Sequence, residues 1–260
     1  MLAIGSMALC CFFSLWSTLQ SNLFNVKLAH SFDKNVYTHS FLYYGQQQFI
    51  FQTNTKLYES QQPGKQGNVS HPCFLKGMYL PESKEDVNYV PGVGYVNVVG
   101  SGDAVACAAL VQKLLRLDTP CMTDPLPLEN IKPTGESSTC SINGVYQPPI
   151  GVTKKLIAFG AFDFTWRFFN LTNDDTLRSL NQSAKGFCGL NWNDAKNEFP
   201  GVPAKFLQLY CLSGTYIYHL LHNGYRIGDN ENPVEIPDDS DNYTWTLGSM
   251  IYDVNALTYQ

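Results

Sequence analysis

Apolar and polar positions along this chain fall into blocks that read as strands feeding helices. Residues 35 to 58 mix aromatics with Gln and Asn and predict a strand followed by a helix, and the polar, Gly/Pro-punctuated stretch Ser60 to Gly67 predicts a surface loop. The β-branched run Tyr95 to Val99 predicts a strand that breaks at Gly100-Ser-Gly102-Asp103. A helix from Ala104 to Leu117 should follow, with Val105, Ala108, Ala109 and Leu115 at helical spacing. After a Pro/Ser/Thr-rich segment from Pro120 to Pro149, a second strand-to-helix unit runs from Lys155 to Phe162 into Asp163 to Phe169. The next helix carries Leu177, Leu180, Ala184 and Phe187 on one face. A further helix, Ala204 to His222, repeats apolar residues at i, i+3 and i+4 (Phe206, Leu207, Tyr210, Cys211, Gly214, Ile217, Tyr218, Leu221) and stops at Asn223-Gly224. An acidic loop, Asp229 to Asp241, then leads to a last helix, Thr244 to Asn255. Strands alternating with helices predict an α/β fold.

Composition narrows the classes. At 260 residues with 44% hydrophobic side chains the chain can bury a real core, so disorder is excluded. Seventeen Lys and Arg against 22 Asp and Glu give a net charge of −5 with no basic cluster. A nucleic-acid partner needs concentrated positive charge to neutralise phosphates and is therefore excluded. Eight cysteines (Cys10, Cys11, Cys73, Cys107, Cys121, Cys140, Cys188, Cys211) show no C-x-x-C spacing, which favours structural disulfides over a metal or redox motif. Four Asn-x-Ser/Thr sequons, at Asn68, Asn170, Asn181 and Asn242, agree with a glycoprotein of the secretory pathway, whether secreted, lumenal or membrane-associated. Leu2 to Trp16 is apolar and uncharged, about the length of a signal-peptide core, but no Lys or Arg precedes it. The alternative is a buried strand and helix of the domain. Membrane attachment, if any, would run through residues 1 to 20.

Generic motifs add little chemistry. Gly92-Val-Gly94 and Gly100-Ser-Gly102 lack the third glycine and the distant acid of a dinucleotide site. His219 and His222 sit three apart without the Glu of a zinc-protease motif, so they read as a solvated helix end rather than a metal site. No Walker loop, nucleophile elbow or kinase signature is present.

Specific strings carry further. Asn35-Val-Tyr-Thr-His-Ser-Phe-Leu42 with Tyr44-Gly45, Pro72-Cys-Phe74, Cys140-Ser-Ile-Asn-Gly-Val-Tyr-Gln-Pro148, Phe159-Gly-Ala-Phe162, Asn170-Leu-Thr172, Tyr210-Cys-Leu-Ser-Gly-Thr-Tyr-Ile-Tyr218 with Gly224-Tyr225, and Trp245-Thr-Leu-Gly-Ser-Met250 occur in that order. Through these strings the chain, from Asn35 onward, resembles the apyrase family of nucleoside tri- and diphosphate diphosphohydrolases, Golgi nucleoside diphosphatases included. The resemblance implies an actin/sugar-kinase-like (ribonuclease H-like) fold of two lobes with phosphates held between them, of which this chain corresponds to the second, nucleobase-side lobe. The division it implies is residues 1–30 as an apolar leader or degraded third phosphate motif, 31–243 as the second lobe, and 244–260 as a terminal helix that returns to the first lobe. If the third motif, Asp-Leu-Gly-Gly-Ala-Ser-Thr-Gln, aligns near residues 3 to 10, then Ala3, Ala8 and Cys10 replace its Asp, Ser and Gln.

By resemblance the activity is hydrolysis of nucleoside tri- or diphosphates with Ca²⁺ or Mg²⁺. The first and second phosphate motifs and the water-activating Glu of the family have no counterpart in these 260 residues, and no metal ligands are identified. Phosphoryl transfer depends on positioning and charge stabilisation, so the chain is expected to be inactive alone. The alternatives are a non-catalytic secreted nucleotide-binding module, or a portion of a longer active enzyme. The resemblance pairs Cys73 with Cys107, Cys121 with Cys140 and Cys188 with Cys211, leaving Cys10 and Cys11 to the leader. Tyr43 stands where a further family Cys is usual, and that Cys's partner is missing too. The resemblance also places Ala161 and Phe164 at the base, with Tyr225 as the opposing ring, while Gln46 replaces a residue that is often basic. Asp163 is the carboxylate nearest that site and the candidate replacement base. The terminal helix, with Trp245, Leu247, Met250 and Ile251, would favour self-association if left unpacked.

Overall fold

The computed structural model describes residues 44–61, 68–81, 86–120, 140–145, 156–158, 160–231 and 234–236, together with the backbone of three strands at 2–4, 22–27 and 33–38. In chain order the elements are β1 (Leu2–Ile4), β2 (Asn22–Lys27), β3 (Asp33–Thr38), α1 (Gln46–Gln61), β4 (Val69–His71), β5 (Tyr79–Leu80), β6 (Tyr89–Val90), β7 (Gly94–Tyr95), β8 (Val98–Gly100), α2 (Ala104–Leu115), β9 (Leu156–Ala158), α3 (Ala161–Phe168), α4 (Leu177–Cys188), α5 (Trp192–Glu198), α6 (Ala204–Leu207), α7 (Tyr210–His219) and β10 (Val234–Glu235). The fold is mixed α/β, as the alternation of patterns predicts.

β9 is the middle strand of a parallel sheet, with β1 on one side and β10 on the other. The backbone of Leu2–Ile4 is thus a strand of this sheet, with Ala3 opposite Ile157 in register. β2 and β3 form an antiparallel hairpin, β4-β8-β5 a second small sheet, and β6-β7 a short ribbon. The acidic segment after Asp229, expected to be loop throughout, contains β10. Its Val234 is buried against the sheet, which charge content alone conceals.

The core is built around α7. This helix packs against α4, α2 and α3 and is buried on every side, from Cys211 through His219. No face of it meets water, so it lacks a polar side, and its buried Ser213, Thr215 and His219 are each hydrogen-bonded. Gly214 makes the packing possible: a Cβ there would lie 2.8 Å from both the Ala184 Cβ and the Phe169 ring. Phe168 stacks on Tyr210 with centroids 3.6 Å apart, and Phe187 and Phe199 close the same aromatic cluster.

Two helices depart from the expected pattern. The single helix expected over Ala204 to His222 is instead α6, a tight turn at Gln208 and Leu209, α7, and a π-helical turn over Leu220–Gly224. Phe206, counted on its apolar face, is 49% exposed. In α2 the expected face is displaced, since Val105 is 79% exposed and the buried positions are Cys107, Leu110, Val111 and Leu115. The Cys73–Cys107 disulfide sets that face by turning Cys107 toward β4 and the loop after it. In α4 the predicted Leu177, Leu180, Ala184 and Phe187 are all buried. α5 was not visible as a pattern, because Ala195 is its only buried residue.

Two disulfides lie wholly among the described residues, Cys73–Cys107 and Cys188–Cys211, with their cysteines 34 and 23 positions apart in sequence. The loop-entropy model gives each about 3 to 4 kcal/mol. Cys140 is disulfide-bonded. Its expected partner Cys121 lies outside the described residues, as do Cys10, Cys11, Asn242, the third-motif position Ala8, and the terminal helix with Trp245.

Candidate functional site

The predicted base-binding residues lie where the parallel sheet gives way to helix. β9 ends at Ala158, and Gly160 turns the chain with φ 60° and ψ −122°, a conformation that a side chain would disfavour. α3 then begins at Ala161, with the Phe164 amide donating to the Gly160 carbonyl at 2.9 Å. Ligands in open α/β sheets commonly bind at such strand ends. Ala161 is half-buried and Phe164 is 61% exposed, an unusual state for a phenylalanine on an amphipathic helix. The opposite face of α3 is buried through Phe162, Thr165 and Trp166, whose indole donates to the Thr172 carbonyl at 3.0 Å.

Asp163 does not serve as a free carboxylate. It is 3% exposed, and Arg167 on the next turn donates from Nε to its Oδ1 at 2.5 Å. An acid held this way is a structural ion pair rather than a base open to water.

Tyr225 comes directly after the π-helical turn. Its amide donates to the Leu220 carbonyl at 2.9 Å and its ring is half-buried. π-Turns insert a residue and re-aim the chain beyond it, and they occur often at functional sites. Near Tyr225, Tyr216 is buried and donates its hydroxyl to the Tyr44 carbonyl at 2.5 Å. Burial pushes the Tyr216 phenol far up, and the neighbouring Tyr225 and Tyr44 hydroxyls add to the rise. Gln46, the residue that replaces a common basic position, donates to the Ser213 hydroxyl at 2.8 Å and so ties α1 to α7. It makes a packing contact, not a free polar contact for a ligand.

The string beginning at Cys140 is folded against Tyr225. A Cβ on Gly224 would come within 3.0 Å of the Ile142 side chain, and Arg226 donates to the Cys140 carbonyl at 3.1 Å. The strings that lie far apart in sequence thus gather around α7. Tyr44-Gly45 meets Tyr216, Phe162 leads α3 onto α7, and Cys140–Gly144 meets Gly224–Arg226.

The glycine turn at residues 100–102 is spent on structure. Ser101 and Gly102 donate to the carbonyls of His71 and Phe74, and Asp103 caps α2 by accepting from the Val105 and Ala106 amides at 3.0 and 2.9 Å. A carboxylate already occupies the place where a phosphate would need to sit, which physically disposes of the dinucleotide reading.

Of the histidine pair, His219 is not solvated, which corrects the sequence expectation, while His222 is half-buried. His219 is 6% exposed, and its Nδ1 lies 3.2 Å from the Gln112 amide and 2.6 Å from the Asn223 side chain. Burial holds its pKa below the usual imidazole value. His222 stacks on Tyr218, whose hydroxyl donates to Asp229 at 2.8 Å. Sequence reading missed this because α7 is buried on both faces, so no solvated side exists for His219 to mark.

Of the sequons, Asn68 and Asn170 are exposed, while Asn181 is half-buried on α4 with its side chain hydrogen-bonded to Tyr218. Among the described residues there is no group of three or more His, Cys, Asp or Glu side chains that could hold a metal ion. Among the described residues no helix is long and apolar enough to cross a membrane.

Comparison with known proteins gives a consistent family. The family model described as GDA1/CD39 (nucleoside phosphatase) family matches residues 17–260. Ectonucleoside triphosphate diphosphohydrolase 8 of Gallus gallus is 30% identical over 235 residues, covering 86% of this chain and 44% of that protein. Ectonucleoside triphosphate diphosphohydrolase 1 of Rattus norvegicus is 32% identical over 243 residues, covering 86% and 43%. This chain therefore spans less than half the length of these relatives. Among solved structures, a nucleoside triphosphate hydrolase from Neospora caninum aligns with 78% of this chain and 45% of its own, at 14% identity and a TM-score of 0.43. With a family match running over residues 17–260, this chain belongs to the GDA1/CD39 (nucleoside phosphatase) family.

Proposed function

We propose that this chain is the nucleobase-side, actin- and sugar-kinase-like lobe of a nucleoside tri-/diphosphate phosphohydrolase, able to bind a nucleotide and inactive in hydrolysis on its own. The observation that supports this best is the gathering of the family's separate sequence strings around α7, with Phe164 exposed on one side and Tyr225 half-buried on another. In this reading the base stacks between Phe164 and Tyr225, and Ala161 at the start of α3 leaves room for it. Stacking of this kind tolerates different bases and is worth roughly 1 to 3 kcal/mol per base.

Hydrolysis requires a water directed at the terminal phosphorus, departure of the shortened nucleotide through its bridging oxygen with release of orthophosphate, and groups that take up the charge shifted onto that leaving oxygen. The residues of this chain are assigned only to holding the nucleoside end. Asp163, the nearest acid, is already paired with Arg167. The divalent cation of the family supplies charge neutralisation when bound; among the described residues no group of three or more His, Cys, Asp or Glu side chains gathers to hold it.

The disulfides Cys73–Cys107 and Cys188–Cys211 support folding in an oxidising compartment, hence a secretory-pathway protein glycosylated at exposed sequons such as Asn68 and Asn170. The helix at 244–260 is assigned to contact with a first lobe, and in its absence to self-association.

The test has two arms on the purified chain. Adenosine and ADP binding is measured by calorimetry for the wild type, Phe164→Ala and Tyr225→Ala, with at least a fivefold loss expected in each variant. Phosphate release from ATP, ADP, GDP and UDP is measured with Ca²⁺ or Mg²⁺, and none above background is expected. Binding untouched by both substitutions refutes the base site. Metal-dependent turnover that survives repurification and is lost in Asp163→Ala refutes the inactive reading.

A further inference from the structure

Between the π-helical turn and β10 the chain folds back on itself around Tyr225, and one side chain closes the fold. The Tyr225 amide donates to the Leu220 carbonyl at 2.9 Å and the Ile227 amide to the Leu221 carbonyl at 3.1 Å. From within the turn, His222 Nδ1 lies 2.9 Å from the Ile227 carbonyl oxygen. A carbonyl only accepts, so the proton of this bond sits on Nδ1. The bond encloses Asn223, Gly224, Tyr225 and Arg226.

The enclosed segment is strained. Arg226, directly after Tyr225, has φ 58°. Left-handed backbone is costly for an arginine and persists where the surroundings impose it. Two contacts do so here. Arg226 donates to the Cys140 carbonyl at 3.1 Å from an exposed side chain, whereas the His222 bond fixes the carbonyl of the following residue, Ile227, whose side chain is buried. The second contact acts on the backbone itself. Without it, relaxation of Arg226 toward extended backbone rotates the peptide that joins it to Tyr225.

His222 is itself anchored. Its ring stacks on Tyr218 with centroids 5.2 Å apart and planes at 13°. The Tyr218 hydroxyl donates to Asp229 at 2.8 Å, and the Asp229 carbonyl accepts from the Arg178 amide at 2.9 Å, at the start of α4. Asp229 Oδ1 stands 3.6 Å from His222 Nδ1, too far for a hydrogen bond, which leaves the Ile227 carbonyl as the acceptor of that proton.

We propose that His222 is a positioning residue of the base site: its bond to the Ile227 carbonyl holds the left-handed turn at Arg226, and with it the Tyr225 ring in the place where a nucleobase stacks. This rests on the base-site reading above and deepens it. His222 acts through the backbone and is assigned no contact with the ligand. A stacking ring works only when neighbouring bonds hold it in the productive orientation.

Two substitutions separate the bond from the ring. His222→Asn keeps an N–H donor at the place of Nδ1 and loses the stack on Tyr218; His222→Phe keeps the stack and loses the donor. Both are measured in the full chain beside wild type, Tyr225→Ala and the double variant His222→Phe with Tyr225→Ala, by calorimetry with adenosine and by thermal unfolding. His222→Phe should lose roughly fivefold in adenosine affinity, the scale of one hydrogen bond, with most of that loss recovered in His222→Asn. Adding His222→Phe to Tyr225→Ala should cost nothing further. In the ligand-free wild type, nitrogen NMR of the imidazole in alkaline buffer should find the His222 proton on Nδ1. Equal loss of adenosine affinity in His222→Phe and His222→Asn, or the same loss from His222→Phe with and without the Tyr225 ring, overturns the inference while the base site stands. A proton found on Nε2 overturns it without reference to any ligand. If Tyr225→Ala leaves binding unchanged, or wild type binds no adenosine, the base-site reading falls and takes the inference with it.

Discussion

Acidification should destabilise this fold through one buried imidazole. His71, the last residue of β4, is fully buried and stacks on Phe74 with centroids 4.1 Å apart. Its Nδ1 accepts from the Cys73 amide at 3.2 Å, so the proton sits on Nε2, which faces the Thr53 hydroxyl at 3.4 Å. Thr53 in turn donates to the Ile50 carbonyl. The ring is thus neutral and satisfied, and desolvation is what sets its titration. Burial lowers its pKa from 6.5 to about 3.

The folded pKa lies below the unfolded one, so under pH 6.5 the unfolded chain binds more protons and stability falls as pH falls. The contribution is fully present above pH 6.5 and is lost progressively from there toward pH 3. At pH 5 the proton deficit of the folded state corresponds to about 2 kcal/mol, a sizeable share of the roughly 5 to 15 kcal/mol typical of a domain. His219, also depressed by burial, adds to the loss in the same direction. Asp175, held below its usual value by the Thr172 amide, acts only at lower pH and does not confuse the window.

The assay is urea unfolding with disulfides intact, followed by tryptophan fluorescence at pH 7.5, 6 and 5, for wild type and His71→Asn. Asn presents an oxygen where Nδ1 accepts from Cys73 but cannot ionise. It costs roughly 1 to 3 kcal/mol at every pH through the lost ring and the unmet Thr53 contact. The informative quantity is the slope: wild type should lose about 2 kcal/mol more than His71→Asn between pH 7.5 and 5. Identical slopes in the two proteins would refute the assignment of acid sensitivity to His71.

Replacing both Cys188 and Cys211 with Ser should cost about 3 kcal/mol from loop closure alone, and non-reducing peptide mapping of the wild type should recover the pair linked; finding either thiol free would refute the pairing. Gly214→Ala should destabilise by roughly 1 to 3 kcal/mol, because its new methyl would stand 2.8 Å from Ala184 and the Phe169 ring, and an unchanged urea midpoint would show that α7 and α4 can separate freely.

The sequence carried the parts of this fold whose periodicity is set by one interface. α4 has a single buried face, and Leu177, Leu180, Ala184 and Phe187 announce it. α7 has none to announce, since burial from Cys211 to His219 erases the contrast between faces. For the same reason His219 looked solvated, although Gln112 and Asn223 hold it inside. α2 misled differently: its short apolar residues fit more than one face, and a covalent bond from Cys107 to Cys73 made the choice. β10 was hidden because two residues of strand in an acidic stretch give no period, only the pairing of Val234 with Leu156.

The candidate site divides along the same line. Phe164, Ala161 and Tyr225 could be picked out only through family strings, because an exposed phenylalanine and a half-buried tyrosine have no signature in composition or spacing. Their setting required three dimensions. The Cys140 string reaches the neighbourhood of Tyr225 through the contact of Ile142 with Gly224 and the Arg226 hydrogen bond to the Cys140 carbonyl, across a sequence gap that no local pattern bridges.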